Sequence, residues 1–293
     1  MRPFSRVRLA AVSSVVAGLL ALVPALPSSA TGGSDFAPTS YLALGDSVTF
    51  GFSPLLVQPG VDPSVFVGYP QLASDLFAPQ LSVFNASCPG ESSTSLISGA
   101  RPDNGCQNYR LFVGALHVSY PRSQLQFAEA FVAANPETKL VSLMIGANDL
   151  ILLQQRCMAT APSPAGADAC IMQGLPKLLD TLRTNLRTVY TGLRASGFKG
   201  DLVAVTYYST NFRDLLVTGA VRAVNGALAD VTRAFGGKVA DGFGAFDAAA
   251  APFGGDSCKA GLLIRRTLDM CDIHASPAGA ALLASAVRAA EGP

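Results

Sequence analysis

Hydrolytic or transfer chemistry carried by side chains needs a nucleophile, a base, and donors for the charge that develops on the substrate. Three stretches of this 293-residue chain offer such groups in one setting, a short apolar run that ends in glycine and polar residues. Leu42-Ala43-Leu44 leads into Gly45-Asp46-Ser47. Val83-Phe84-Asn85 leads into Ala86-Ser87-Cys88-Pro89-Gly90-Glu91. Leu143-Met144-Ile145 leads into Gly146-Ala147-Asn148-Asp149. A fourth block, Asp272-Ile273-His274, stands just before an Ala-rich helix candidate. A serine hydroxyl is barely nucleophilic at neutral pH unless a base takes its proton, and the tetrahedral oxyanion needs aimed donors. Ser47 supplies the hydroxyl. Its own backbone N–H, the N–H of Gly90 and the carboxamide of Asn148 are candidate donors, and glycine at 90 leaves no Cβ in a substrate's way. Only two histidines exist, His117 and His274, and only His274 lies in such a block, so it is the candidate base. Asp46 and Asp149 read as structural hydrogen-bond acceptors, and His117 as a loop or pocket-wall residue.

These blocks need a scaffold that gathers them at one edge. Tyr41–Leu44, Leu81–Asn85, Lys139–Ile145, Asp201–Tyr207 and Lys238–Ala240 read as strands, and the apolar run at 139–145 suits a strand buried on both faces of a parallel sheet. Helical spacing runs through Tyr69–Phe77, Ser123–Ala134, Leu175–Ser196, Ala220–Phe235 and Pro277–Ala290. Residues 52–68, with three prolines and two glycines, read as a long irregular loop. So do 157–170, Ala- and Pro-rich between two cysteines, and 248–271. Strands alternating with helices predict one doubly wound α/β domain over 40–293, helices on both faces of a parallel sheet, with the site beyond the carboxyl ends of the strands.

The four blocks, in this order, resemble the SGNH (GDSL-type) hydrolases: Gly-Asp-Ser at 45–47, Gly90 after the second strand, Gly-Ala-Asn-Asp at 146–149, and a late His274 followed by a Pro/Ala/Gly helix. The resemblance covers nearly all of the chain beyond the N-terminal segment. It implies a three-layer α/β/α fold with a flavodoxin-like parallel sheet. It also implies hydrolysis of carboxylic esters through an acyl-serine intermediate, with no cofactor. Carried over by residue, Ser47 is the nucleophile, His274 the base, and the oxyanion hole is made by Ser47, Gly90 and Asn148. One departure stands out. The family usually places the acid three residues before the histidine; that position is Cys271 here, and the nearest carboxylate is Asp272. In an extended segment a one-residue slip turns a side chain to the opposite face. Asp272 and a backbone carbonyl, which some secreted members use, both stay open as the group that orients His274.

Six cysteines allow fifteen pairings. Their spacing suggests neighbours, Cys88–Cys106, Cys157–Cys170 and Cys258–Cys271, each bracketing a loop near a site block. The lipase-like secreted branch of the same family carries three sequential bridges of this kind. No Cys-x-x-Cys or Cys/His spacing points to a metal. Residues 1–30 have the layout of a secretory signal peptide: Arg2, Arg6 and Arg8, an apolar run from Leu9 to Leu26, then Ser28-Ser29-Ala30. An uncleaved anchor is the competing reading, disfavoured by Pro24 and Pro27. Export permits disulfides and places the protein outside the cell. Residues 31–39 read as a flexible lead-in, and no later apolar run is long enough for a stable membrane span. With 14% charged residues and a net charge of +1, the chain is neither a nucleic-acid-binding polycation nor an acidic tail. A monomer acting on a small-molecule or lipid ester is the expectation. The Leu-, Val- and Phe-rich stretches 52–68 and 111–120 suit an acyl chain, and the absence of Trp counts against a sugar-stacking platform. A carbohydrate acetyl-esterase on the same fold is the nearest alternative. A catalytically idle extracellular binding protein, suggested by the displaced acid, is the other.

Overall fold

The computed structural model describes residues 39–114, 116–268 and 270–292. The signal peptide read over 1–30 lies outside the described residues, as does the lead-in 31–39 apart from Thr39. The carbonyl of Thr39 accepts from the N–H of Ser82 at 3.0 Å, so sheet pairing begins one residue before the expected domain boundary.

The strands β1 (Ser40–Gly45), β2 (Ser82–Asn85), β3 (Leu140–Met144), β4 (Asp201–Val205) and β5 (Lys238–Ala240) pair in parallel in the order β2-β1-β3-β4-β5. This is the flavodoxin-like order, in which the winding reverses between β1 and β3 and leaves a crevice at their carboxyl ends. Every residue of β1 and β3 is buried. Central position explains their near-continuous apolar sequence, and the exceptions are paired: Tyr41 donates to Ser142 Oγ at 2.8 Å.

Parallel pairing demands a crossover between successive strands, usually a helix. The helices are α1 (Ser47–Phe50), α2 (Tyr69–Ser74), α3 (Ser93–Ser98), α4 (Cys106–Phe112), α5 (Gln124–Ala134), α6 (Ala147–Thr160), α7 (Pro164–Ala195), α8 (Leu215–Ala234), α9 (Gly242–Ala250) and α10 (Pro277–Ala290). One group, α3, α5, α6 and α8, gathers on α7, while α2 and α9 pack on α10. Two further strands, β6 (Leu263–Arg265) and β7 (Cys271–Ala275), form a separate antiparallel pair. The six cysteines pair as neighbours, Cys88–Cys106, Cys157–Cys170 and Cys258–Cys271. Among the described residues, only α8 is long and apolar enough to cross a membrane, and it packs against α7, β4 and β5.

Two of the expected loops are ordered elements instead. Within 157–170, α6 continues to Thr160 and α7 begins at Pro164, capped by Ser163, whose Oγ accepts from Gly166 N at 3.2 Å. Proline in a first helical turn forfeits no intrahelical bond. Glycine at 174 lets the two helices close, since a Cβ there would lie 2.6 Å from Leu153 Cδ1. The Ala/Pro-rich stretch that reads as loop is the end of one helix, the turn and the start of the next in a disulfide-bridged hairpin, with Cys157 and Ala167 buried and Pro162, Pro164 and Ala165 exposed. Likewise 248–271 holds the end of α9, all of β6 and the first residue of β7. Helix α9 begins at Asp241, whose Oδ1 accepts from Gly244 N at 2.9 Å.

Candidate active site

The carboxyl ends of β1, β2 and β3 bring the first three blocks together. At the end of β1, Asp46 caps α1, its Oδ1 accepting from Val48 N at 3.0 Å, which sets Ser47 at the first helical position. Gln124, at the start of α5, clamps the strand end from behind: Gly45 N donates to its Oε1 at 3.0 Å, and its Nε2 donates to Gly45 O at 2.8 Å. Beyond β2, Gly90 adopts φ +85°, and a Cβ there would lie 2.5 Å from the carbonyl oxygen of Asn104, so this turn requires glycine. Among the described residues, the backbone N–H groups of Ser47 and Gly90 find no acceptor. Asn148, in the first turn of α6, donates from Nδ2 to Glu91 O at 2.9 Å and to Asp46 Oδ2 at 3.2 Å, and accepts from Asn104 Nδ2 at 2.8 Å.

The fourth block is the strand β7. Asp272 Oδ1 pairs with Nδ1 of His274 and also accepts the His274 backbone N–H at 3.1 Å. Of the two holders left open by the sequence, the carboxylate is the one against the ring. The strand is irregular there: Leu263 pairs with Ala275 and Arg265 with Cys271, so two residue steps of β6 face four of β7, and the Asp272 side chain closes back on His274 across that stretch. The imidazole hydrogen bond holds the Asp272 carboxyl below the usual carboxylate range, and Arg266, 3.9 Å away, works in the same direction. Tyr208 donates to Ile273 O at 2.8 Å, and the Cys258–Cys271 bridge ties the first residue of the strand. Helix α1 packs beside β7, and the ring of Phe52 lies 4.8 Å from that of His274.

Two buried carboxylates underlie the site. Burial pushes Asp46 up to about 6, against the opposing pull of Tyr207 Oη, which donates to Oδ2 at 2.5 Å, and of Val48 N. Burial likewise pushes Glu91 up to about 7, although Ser95 Oγ and Gln124 Nε2 both donate to it, the latter at 2.7 Å. Asp149 accepts from the Ser93 N–H and hydroxyl at 2.8 and 2.6 Å, a structural task. Cys88, Glu91 and Cys106 bring ligand-type atoms within 4.8 Å of one another, but the two sulfurs are bonded to each other and offer no thiolate to a metal.

Ser47, Gly90, Asn148 and His274 all line one cavity of about 560 Å³. A sequence model of the GDSL-like Lipase/Acylhydrolase family matches residues 43–282. The chain belongs to this family. Solved lipase and esterase structures share its fold at low identity. A phospholipase A1 from Streptomyces albidoflavus aligns at 20% identity and a TM-score of 0.56, over 87% of this chain and 100% of its own. An extracellular lipase from Streptomyces rimosus aligns at 18% and 0.57, over 86% and 99%. Axe2, an acetylxylan esterase from Geobacillus stearothermophilus, aligns at 17% and 0.52, over 87% and 94%. No curated protein matches. Membership makes ester hydrolysis the chemistry of this scaffold; identities this low carry the fold and nothing finer.

Several residues at the site escape a sequence reading. Tyr207 and Tyr208 follow β4, and the carboxyl end of a parallel strand was the available signal. Gln124 is one polar residue on an amphipathic helix, and Asn104 lies in an unpatterned stretch; neither carries a signal. His117 is absent from the cavity lining: its Nε2 sits 3.0 Å from Phe50 O and its ring 4.4 Å from that of Phe50, which ties the 116–120 segment to α1.

Proposed function

We propose that this GDSL-family hydrolase is secreted and cleaves lipid or simple acyl esters through an acyl-serine intermediate. Ser47 Oγ attacks the ester carbonyl while its proton passes to Nε2 of His274. Asp272 holds the Nδ1–H and stabilises the imidazolium. The carbonyl oxygen, now negative, takes the free N–H groups of Ser47 and Gly90, and Asn148 adds a third donor by releasing its longer bond, the one to Asp46. Collapse expels the alcohol, which receives the proton from His274. Water then attacks the acyl-serine with His274 again as base, freeing the carboxylic acid and restoring the serine hydroxyl.

The observation that carries this reading is convergence. Ser47 and His274, far apart in sequence, line one cavity, and the other nitrogen of the imidazole is engaged by Asp272. Secretion is supported by the signal-like 1–30 segment and three disulfides. An acyl substrate is supported by the aliphatic residues in the lining. In Ser47→Ala, hydrolysis of p-nitrophenyl esters falls at least about a thousandfold with an unchanged circular dichroism spectrum, and a fluorophosphonate labels the wild type alone. A folded wild type that neither hydrolyses esters nor takes the label assigns the scaffold to binding instead.

A further inference from the structure

The cavity has two unlike walls, and the sheet order places them on opposite sides of Ser47. Helix α4 belongs to the β2 side, tied there by Cys88–Cys106, and contributes Asn108, Tyr109 and Phe112, with its capping residues Gly105 and Val113 beside them. Asn104 adds a further carboxamide on that side. On the other side, α8 follows β4 and packs against α6. Its Val217, Val221 and Val224 recur at helical spacing and line the cavity together with Leu150 and Ile151 of α6. Val224 is fully buried, and its Cγ1 would lie 3.0 Å from a Cβ at Gly146, at the floor near the end of β3. Val217 and Val221 are partly exposed. The valine stripe therefore runs from the floor beside Asn148 outward for ~10 Å along the helix. The helix is held in place by Asn225, whose carboxamide donates to Tyr207 O and accepts from Tyr207 N, each at 2.8 Å.

On the α4 side both carboxamide oxygens have partners, Asn104 Oδ1 accepting from Gln155 and Asn108 Oδ1 from Arg101, and Asn104 Nδ2 donates to Asn148; a methylene chain laid there would strip water from the remaining N–H donors without replacing those hydrogen bonds, which is costly. Against α6 and α8 it meets Leu150, Ile151 and the three valines, with Gln154 of α6 the one carboxamide these two helices give to the lining besides Asn148. An alcohol portion with hydroxyl or carbonyl groups has the reverse preference. We infer that the acyl chain of the substrate lies in the slot between α6 and α8, with Val221 setting the length it accepts, and that the alcohol portion faces α4. This rests on the ester-hydrolase reading above and deepens it by giving the substrate a direction and a medium-length chain.

The test is the ratio of kcat/KM for p-nitrophenyl octanoate to that for the acetate, in wild type, Val221→Phe, Val221→Ala and Phe112→Ala, each checked for folding by its melting curve. Phenylalanine at 221 lowers the ratio about tenfold. Alanine at 221 raises turnover of palmitate relative to octanoate, and this arm decides the matter should the phenylalanine variant fail to fold. Phe112→Ala leaves the octanoate-to-acetate ratio as it is. A chain-length profile unmoved by both Val221 variants, or one moved by Phe112→Ala instead, overturns the assignment. A wild type inactive on every ester overturns the hydrolase reading itself, a result distinct from an active enzyme with an unmoved profile.

Discussion

Asp272 reaches the imidazole from two residues away along β7, its Oδ1 meeting both Nδ1 and the backbone N–H of His274. In the proposed mechanism the carboxylate does two things: it fixes the proton on Nδ1, leaving Nε2 to take the proton of Ser47, and it offsets the positive charge that the ring gains. Asparagine keeps the shape but presents an amide that can stabilise the wrong tautomer. Asp272→Asn is expected to lower kcat by about a thousandfold with KM for a short ester little changed, measured beside Ser47→Ala. A kcat within a few-fold of wild type would mean that the contact between Asp272 and His274 plays no part in turnover. Of the neighbouring groups, Asp46 is a cap and an acceptor for Tyr207, as its place before a short helix suggests.

The blocks are placed by elements, and the elements are clipped. The bridges close separations of 13 or 18 residues. Loops of this size gain about 3 kcal/mol from a bridge through the unfolded state, in a model-dependent account. Cys157–Cys170 fastens the hairpin of α6 and α7 at the end of α6 away from Asn148. Replacing both cysteines with alanine is expected to lower the melting temperature while kcat/KM for a short ester stays near wild type. Cys88–Cys106 fastens α4 to the turn that presents Gly90, so the same replacement there costs both stability and kcat/KM. Equal effects of the two replacements on kcat/KM would contradict this division. The hairpin also shows why local reading fails here. Pro164, Gly166 and Gly174 interrupt any helical pattern before Leu175 in sequence, yet the helix forms because glycine permits close approach to Leu153 and the disulfide holds the turn.

Stability of the whole molecule carries the signature of its buried carboxylates. Glu91 is raised to about 7 and Asp46 to about 6 by burial, against ordinary values near 4 in an unfolded chain. Between about pH 4 and 7 the folded protein therefore binds more protons than the unfolded one, and stability falls as pH rises through this window. Asp272 acts oppositely: its lowered pKa contributes stability above the unfolded value near 4, lost as pH falls further. The urea midpoint is thus expected to drop from mildly acidic to neutral pH, and Glu91→Gln, which keeps an acceptor for Gln124, should flatten that slope. An identical slope in the variant would remove Glu91 from the explanation.

From the sequence alone came the strand–helix alternation, the order of the blocks, the neighbouring cysteine pairs and the choice of His274 over His117. Each depends on local pattern, residue type or spacing, and a parallel sheet converts such patterns into position with few alternatives. Tertiary structure alone decided which group meets Nδ1 of His274, that 157–170 is the turn of a helical hairpin, that Gln124 and Tyr207 support the site, and that a chiefly aliphatic wall and a mixed wall of rings and carboxamides line the cavity with Ser47. These depend on side chains from separate elements meeting across the sheet edge, where burial and close packing outweigh the propensities a linear reading can weigh.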